Sequence, residues 1–206
     1  MEALGRSFKV LFLMALALFL TLGPADAGPN ARLNGAYHFT QSRQCVIASA
    51  GFNADLSLVL PLPAGGFINK VVGVDRGTYN YDGNGAGTAT IRSSRLKFNS
   101  GLAGSFNVSS PVSESEGTCT LTYTVNPDDS VDQQATCTFT VVAGENAGDT
   151  NTITGIHTRR QIVQGNTMLL HVPTDTPSIE SGTLTTPAGA TTQFDRICIR
   201  SGVSSK

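Results

Sequence analysis

Apolar and polar positions alternate along most of this chain. Tyr79 and Tyr81 alternate with Thr78 and Asn80, the two-residue period of a strand with one buried face. Asp82-Gly83-Asn84-Gly85 then supplies residues that tolerate positive φ, and Thr88, Thr90 and Ile91 resume the extended pattern, so 76–91 predicts a β-hairpin. Upstream, Gly35 to Thr40 predicts a first strand with Tyr37 and Phe39 on one face. The stretch 46–66, broken by Pro61, Pro63 and Gly65-Gly66, predicts an irregular excursion with a short helical turn, and Phe67 to Val74 is apolar enough to enter a sheet. Leu96 and Phe98 have the opposite parity to Ile91, which predicts a bulge at 93–95 if all three face inward. A further strand is expected around Phe106 and Val108, and a polar loop at 111–117 carrying Glu114 and Glu116.

The most constrained segment is 118–142. Asn126-Pro127-Asp128-Asp129-Ser130 is a strong turn, and a three-residue loop there sets Asn126 opposite Ser130. Counting outward, Val125 faces Val131, Leu121 faces Ala135 and Cys119 faces Cys137, close enough for a disulfide. Cys45 and Cys198 are left to join each other, tying the first strand to the last. Their parity poses a conflict: Cys198 shares a face with Arg196 and Arg200, opposite Ile197 and Ile199, while Cys45 shares one with Tyr37 and Phe39. Strand one is therefore expected to bulge or end before Cys45.

Strands are also expected at 152–163, 167–172, 179–185 and 193–201, with a turn at 164–166. No stretch after residue 27 keeps an apolar period of 3.6 over a dozen residues. The reading is one all-β domain, 28–206: an antiparallel up-and-down, lipocalin-like barrel of about 8–11 strands with two disulfides. An outer-membrane barrel is the rival, disfavoured by the absence of Trp and by Arg and Asp on both strand faces.

Residues 1–27 have the form of an export signal: Arg6 and Lys9, an apolar run from Val10 to Leu22, and Ala25-Asp26-Ala27 as cleavage site. The run is shorter than the ~20 residues a spanning helix needs, so no membrane span is expected after cleavage. An even set of four cysteines behind such a signal favours disulfides over a metal site and an exported, periplasmic or extracellular protein. A net charge of -1 leaves no electrostatic footprint for nucleic acid.

Catalytic chemistry does not assemble. The run from Asp82 starts like a calcium loop, but Ala86 and Ser93 stand where its fifth and twelfth ligands belong. His38, His157 and His171 lie far apart, no G-x-S-x-G elbow is present, and the carboxylate pairs Glu114/Glu116 and Asp128/Asp129 fall in turns. No catalytic residue, metal site or cofactor is predicted, and the protein is read as not an enzyme. Asn107-Val108-Ser109 fits the N-glycosylation pattern.

The aromatic residues have a clearer use. Tyr37, Phe39, Tyr79, Tyr81, Tyr123 and Phe139 fall on inward positions, where they either fill the core or line a ligand site. Leu33-Asn34-Gly35-Ala36-Tyr37 resembles the opening G-x-W strand of the calycin or lipocalin-like barrels, with Tyr in place of Trp. Arg196-Ile197-Cys198-Ile199-Arg200 resembles their last strand, whose Arg covers the opening ring. The resemblance implies that Arg196 or Arg200 closes one barrel end over Tyr37. The chain also resembles a group of small exported bacterial β proteins, with a G-x-Y-x-F start, a Tyr-Asp-Gly-x-Gly hairpin, an Asn-Pro-Asp turn between cysteines and an Arg-Ile-Cys-x-Arg-Ser-Gly end. That likeness implies an exported β fold and no particular activity. Two roles follow as expectations: an exported barrel that binds a small apolar or amphipathic ligand, or an envelope or surface module with a filled core that contacts another protein. A hydrolytic enzyme ranks last.

Overall fold

The structure, a computed structural model, describes residues 28–100, 106–108, 112–163, 167–171 and 177–206. The export signal at 1–27, most of the strand around Phe106, the Asn107 side chain and the turn at 164–166 lie outside the described residues. Among the described residues a short 3-10 turn, Pro29–Arg32, precedes ten strands: β1 Asn34–Ala48, β2 Ile68–Asp82, β3 Ala86–Ser100, β4 Phe106–Val108, β5 Ser113–Val125, β6 Ser130–Ala143, β7 Thr150–Ile162, β8 Thr167–His171, β9 Ile179–Thr185 and β10 Thr191–Ser205. Every pairing is antiparallel. The order runs β1-β2-β3-β5-β6-β7, continues through β8 and β9 to β10, and returns from β10 to β1. β8 and β9 each pair with both β7 and β10, so together they make one interrupted stave. The result is a closed eight-stave up-and-down barrel, which leaves no open sheet edge along its main ladders.

Both hairpins anticipated from turn chemistry are present. Asp82 folds the β2–β3 turn by accepting hydrogen bonds from the Asn84 and Ala86 amides at 2.7 and 3.0 Å, with Gly83 and Gly85 at positive φ. At the β5–β6 turn Asn126 N–H donates to Ser130 O at 2.8 Å, and Cys119 stands opposite Cys137, to which it is bonded. The second disulfide joins Cys45 to Cys198 across the β1–β10 seam, where the two are register partners.

Four local expectations are corrected. β1 neither bulges nor ends before Cys45: it pairs without interruption through Ala48, because Gln41 and Arg43 on the inward parity find buried partners. β3 has no bulge at 93–95. Its register with β2 is continuous, so Ser93 and Arg95 point inward and Leu96 lies on the outer wall. The excursion 49–67 holds no helical turn, since Asp55 accepts from the Ser57 amide and Phe52 bridges to Leu58, which divert the backbone from a helix. Glu114 and Glu116 lie on β5 rather than in a loop, and both reach Arg92 on the neighbouring strand.

The barrel ends differ. At the end formed by the start of β1 and the β2–β3 and β5–β6 turns, Leu33 is sealed beneath the 3-10 turn. Tyr123 Oη donates to Leu33 O at 2.8 Å there, and Asn30 Oδ1 accepts from Val125 N–H at 2.8 Å. Below it Tyr81 meets Tyr37 and Tyr123 edge-on, with ring centroids 5.5 and 4.9 Å apart, while Phe39 stacks on Tyr79 at 4.2 Å. This half is a packed core. The outer wall carries a belt of register partners, Thr78, Thr90, Thr118, Thr138, Thr152 and Thr183, whose β-branched side chains suit a solvated pleat.

Replacing Cys45 and Cys198 together by Ala is expected to destabilise more than replacing Cys119 and Cys137, because the bonds close chain segments of 153 and 18 residues respectively. Chain entropy puts the losses at about 5 and about 3 kcal/mol. Urea unfolding of the two double variants checks the order.

Candidate ligand-binding pocket

Strict alternation along β1 and β10 sets the character of the middle of the barrel. Because the seam disulfide points inward, so do its second neighbours: Arg43 lies opposite Arg200 on one side of it, and Ile47 opposite Arg196 on the other. The conflict between cysteine and arginine parity thus resolves in an unexpected direction. The arginines are inside, and Ile199 is 67% exposed on the outer wall.

Arginines facing one another inside a barrel demand counter-charge. Glu180 on β9, fully buried, supplies most of it: Arg196 Nε donates to Oε2 at 2.7 Å and Arg200 Nη2 to the same oxygen at 2.8 Å, with Arg200 Nη1 2.5 Å from Oε1. Asp75 on β2 serves Arg43, whose Nε lies 3.4 Å from Oδ1, while Gln41 donates to Oδ2 at 2.9 Å. Arg43 Nη2 also donates to Ser93 Oγ at 2.6 Å. Burial by itself pushes the Asp75 and Glu180 carboxyls up, but their arginine neighbours and hydrogen bonds outweigh it and hold both below the ordinary carboxylate range. Arg160 on β7 is balanced differently. Its guanidinium lies 4.1 Å from the Tyr79 ring centroid and donates to Tyr81 Oη at 2.7 Å, and Tyr81 in turn donates to Gln133.

This polar layer divides the interior. Above it, at the end carrying the 49–67 excursion, lies a cavity of about 880 Å³, within the usual range for small-molecule sites. Leu58, Leu60 and Leu62 of the excursion wall its mouth, with Phe67 from the loop's end, and Ile153, Leu184 and Phe194 line the strands below. Phe194 keeps its place because its register partner is Gly182, where an added Cβ would fall 2.2 Å from the ring. Arg43, Arg95, Arg196 and Lys97 are cationic lining residues, and Asp149 is anionic. Arg95 Nε donates to Ser113 Oγ at 2.9 Å, and Lys97 lies 3.9 Å from Glu145.

Of the six aromatics expected to line a ligand site, Phe139 alone borders this cavity. Tyr37, Tyr81 and Tyr123 belong to the packed half, Tyr79 touches small crevices of about 10–30 Å³, and Phe39 borders one of these and a shallow outer groove of about 890 Å³. Arg196 and Arg200 contact Glu180, and the guanidinium over a ring among the described residues is that of Arg160 on Tyr79 rather than either of them on Tyr37. The residues that sequence reasoning missed are Glu180, Arg43, Arg95 and Phe194. Parity was the available signal: Gln41 and Arg43 follow Tyr37 and Phe39 in step, and reading that step through to Cys45 brings the arginine inside.

No protein-family model matches the chain, and no curated protein does. Among solved structures it is similar to the crystal structure of Neisserial surface protein A (NspA), with 9% sequence identity and a TM-score of 0.45 over 84% of this chain and 99% of that one.

Glu180→Gln removes the shared counter-charge of two buried arginines, and a loss of about 3–5 kcal/mol in unfolding free energy is expected. The pH dependence has a definite sign. Asp75 and Glu180 titrate below their ordinary values of 3.8 and 4.5 when folded, so their contribution is complete above those values and is lost as pH falls through the folded ones. Urea midpoints taken from pH 7 down to pH 2 should drop steeply only below about pH 4.5, and the acid-side slope should be smaller in Glu180→Gln.

Proposed function

We propose that this is an exported, non-enzymatic barrel that holds a small apolar or amphipathic molecule in the cavity at its loop-bearing end. The observation that carries the reading is the 880 Å³ space above the arginine layer, walled largely by aliphatic and aromatic side chains. A concave space of that size with a few polar groups among apolar walls is what a small-molecule site looks like. Two disulfides favour an oxidising compartment, periplasmic or extracellular. The outer wall supports a water-facing barrel. Its Thr belt, together with Arg92, Glu114, Glu116 and Arg159, is the reverse of the apolar band about 25 Å tall that lipid requires. Of the three buried carboxylates among the described residues, Asp75 and Glu180 are each neutralised by arginines, which suits a structural role for those two, while Asp149 lines the cavity.

One observation favours a protein-contacting role instead. Ile199, Val74 and Val46 are 67, 51 and 38% exposed on adjacent strands of the outer wall. The expectation of a filled core attached to that alternative is weakened by the cavity, so it ranks second.

An uncharged fluorescent probe such as Nile red is expected to bind in a single-site manner, with a blue-shifted emission. Leu184→Trp, which places an indole in the cavity, should abolish that binding while leaving the far-ultraviolet circular dichroism unchanged. Equal binding by the variant would remove the cavity as the site.

A further inference from the structure

Resting on the cavity reading above, we infer that the cavity selects an amphipathic anion, a long-chain carboxylate whose head group is held by Arg95 and Arg196 and whose tail lies along the apolar wall of Leu184, Phe194 and Phe67.

Four buried arginines, Arg43, Arg160, Arg196 and Arg200, face the interior; Asp75 pairs with Arg43, Glu180 with Arg196 and Arg200, and Arg160 rests on Tyr79 and Tyr81. Arg95 is a fifth. It lines the cavity, lies one register step above Ser93, and among the described residues has no carboxylate within 4.0 Å; its described hydrogen bond goes to the neutral Ser113 hydroxyl. Burial pushes its guanidinium below the ordinary value, with Arg196 opposing it further and Asp149, Asp75 and Glu145 only partly compensating. A half-buried guanidinium without a carboxylate partner is available to an anion that enters the cavity. Asp149 shares the cavity wall, but it does not pair with Arg95.

A second observation points to the same place from the neutral side. Ser115 Oγ and Asn151 Nδ2 are buried, line the cavity, and have no hydrogen-bond partner within the protein. Both are donors, which an incoming oxyanion satisfies and an apolar ligand does not. Guanidinium, hydroxyl and amide donors thus line the same cavity as the apolar side chains of Leu58, Leu60, Leu184 and Phe194. That combination of cationic donors with apolar walls matches a molecule with an anionic head and an apolar tail. A planar carboxylate fits the fork of an arginine, whose geometry favours bidentate contact.

The test compares dodecanoate with dodecanol, equal in chain length and differing in head group, by isothermal titration calorimetry at pH 7. The acid is expected to bind at least about tenfold more tightly, the worth of one charge-assisted hydrogen bond. Arg95→Gln should bring the two within about threefold, with the alcohol little changed, while Arg92→Gln on the outer wall leaves the preference intact. Equal affinity of acid and alcohol for the unaltered protein would overturn the head-group assignment and leave the cavity reading standing. Binding of neither ligand, with Nile red also unbound, would overturn both. A preference that survives in Arg95→Gln would overturn the role given to Arg95. Should that variant fail to fold, the acid-to-alcohol ratio of the unaltered protein decides the ligand class, and Arg95→Lys, expected to keep part of the preference, decides the residue.

Discussion

The disulfide between Cys45 and Cys198 lies inside the barrel, and the strand period does the rest. Once the two sulfurs face inward on β1 and β10, every second residue on either side must face inward too. Arg43, Arg196 and Arg200 are therefore committed to the interior, and the interior must be built to receive them. Glu180 and Asp75 are the response, arriving from β9 and β2 on the two flanks of the seam. The interruption between β8 and β9 leaves a short strand, and its buried carboxylate is the point at which two arginines converge.

This layer explains why the barrel is filled at one end and open at the other. On one side Arg160 lies against Tyr79 and Tyr81, and the tyrosine cluster passes its hydroxyls to Gln133 and to the main chain of Leu33. Large rings fill the narrow space, and the 3-10 turn caps it. On the other side the inward residues include Ser93, Ser115 and Asn151, too small to meet across the barrel, and the leucines of the 49–67 excursion stand around the mouth instead of plugging it. The same alternation thus yields a core where tyrosines meet across the interior and a cavity where serines and an asparagine interrupt the larger side chains.

The barrel itself was legible wherever local chemistry was strong. Asp82-Gly83 and Asn126-Pro127-Asp128 fix their turns through their own side chains, and the count outward from the second turn places Cys119 opposite Cys137. Closure followed from elimination among the cysteines. What misled was the assumption that charged residues face water. It turned Arg196 and Arg200 into a conflict, suggested a break in β1, and called for a bulge in β3 to turn Leu96 inward. The partners that make a buried arginine tolerable come from distant strands, Glu180 from sixteen to twenty residues away and Asp75 from over thirty, and no local pattern announces them. For the same reason the ligand-lining role fell to the aromatics, which announce themselves, rather than to the wall where side chains are small.

The central claim is that these arginines are interior, and chemical footprinting tests it most directly. The folded protein is treated with phenylglyoxal and the modified arginines are mapped by mass spectrometry of its peptides. Arg160 and Arg200 should stay unmodified under conditions that modify Arg92 and Arg159 on the outer wall, and should react once urea unfolds the chain. Modification of Arg200 in the folded protein at the rate of Arg92 would place it outside, and the inward seam, its counter-charges and the cavity floor would fall with it.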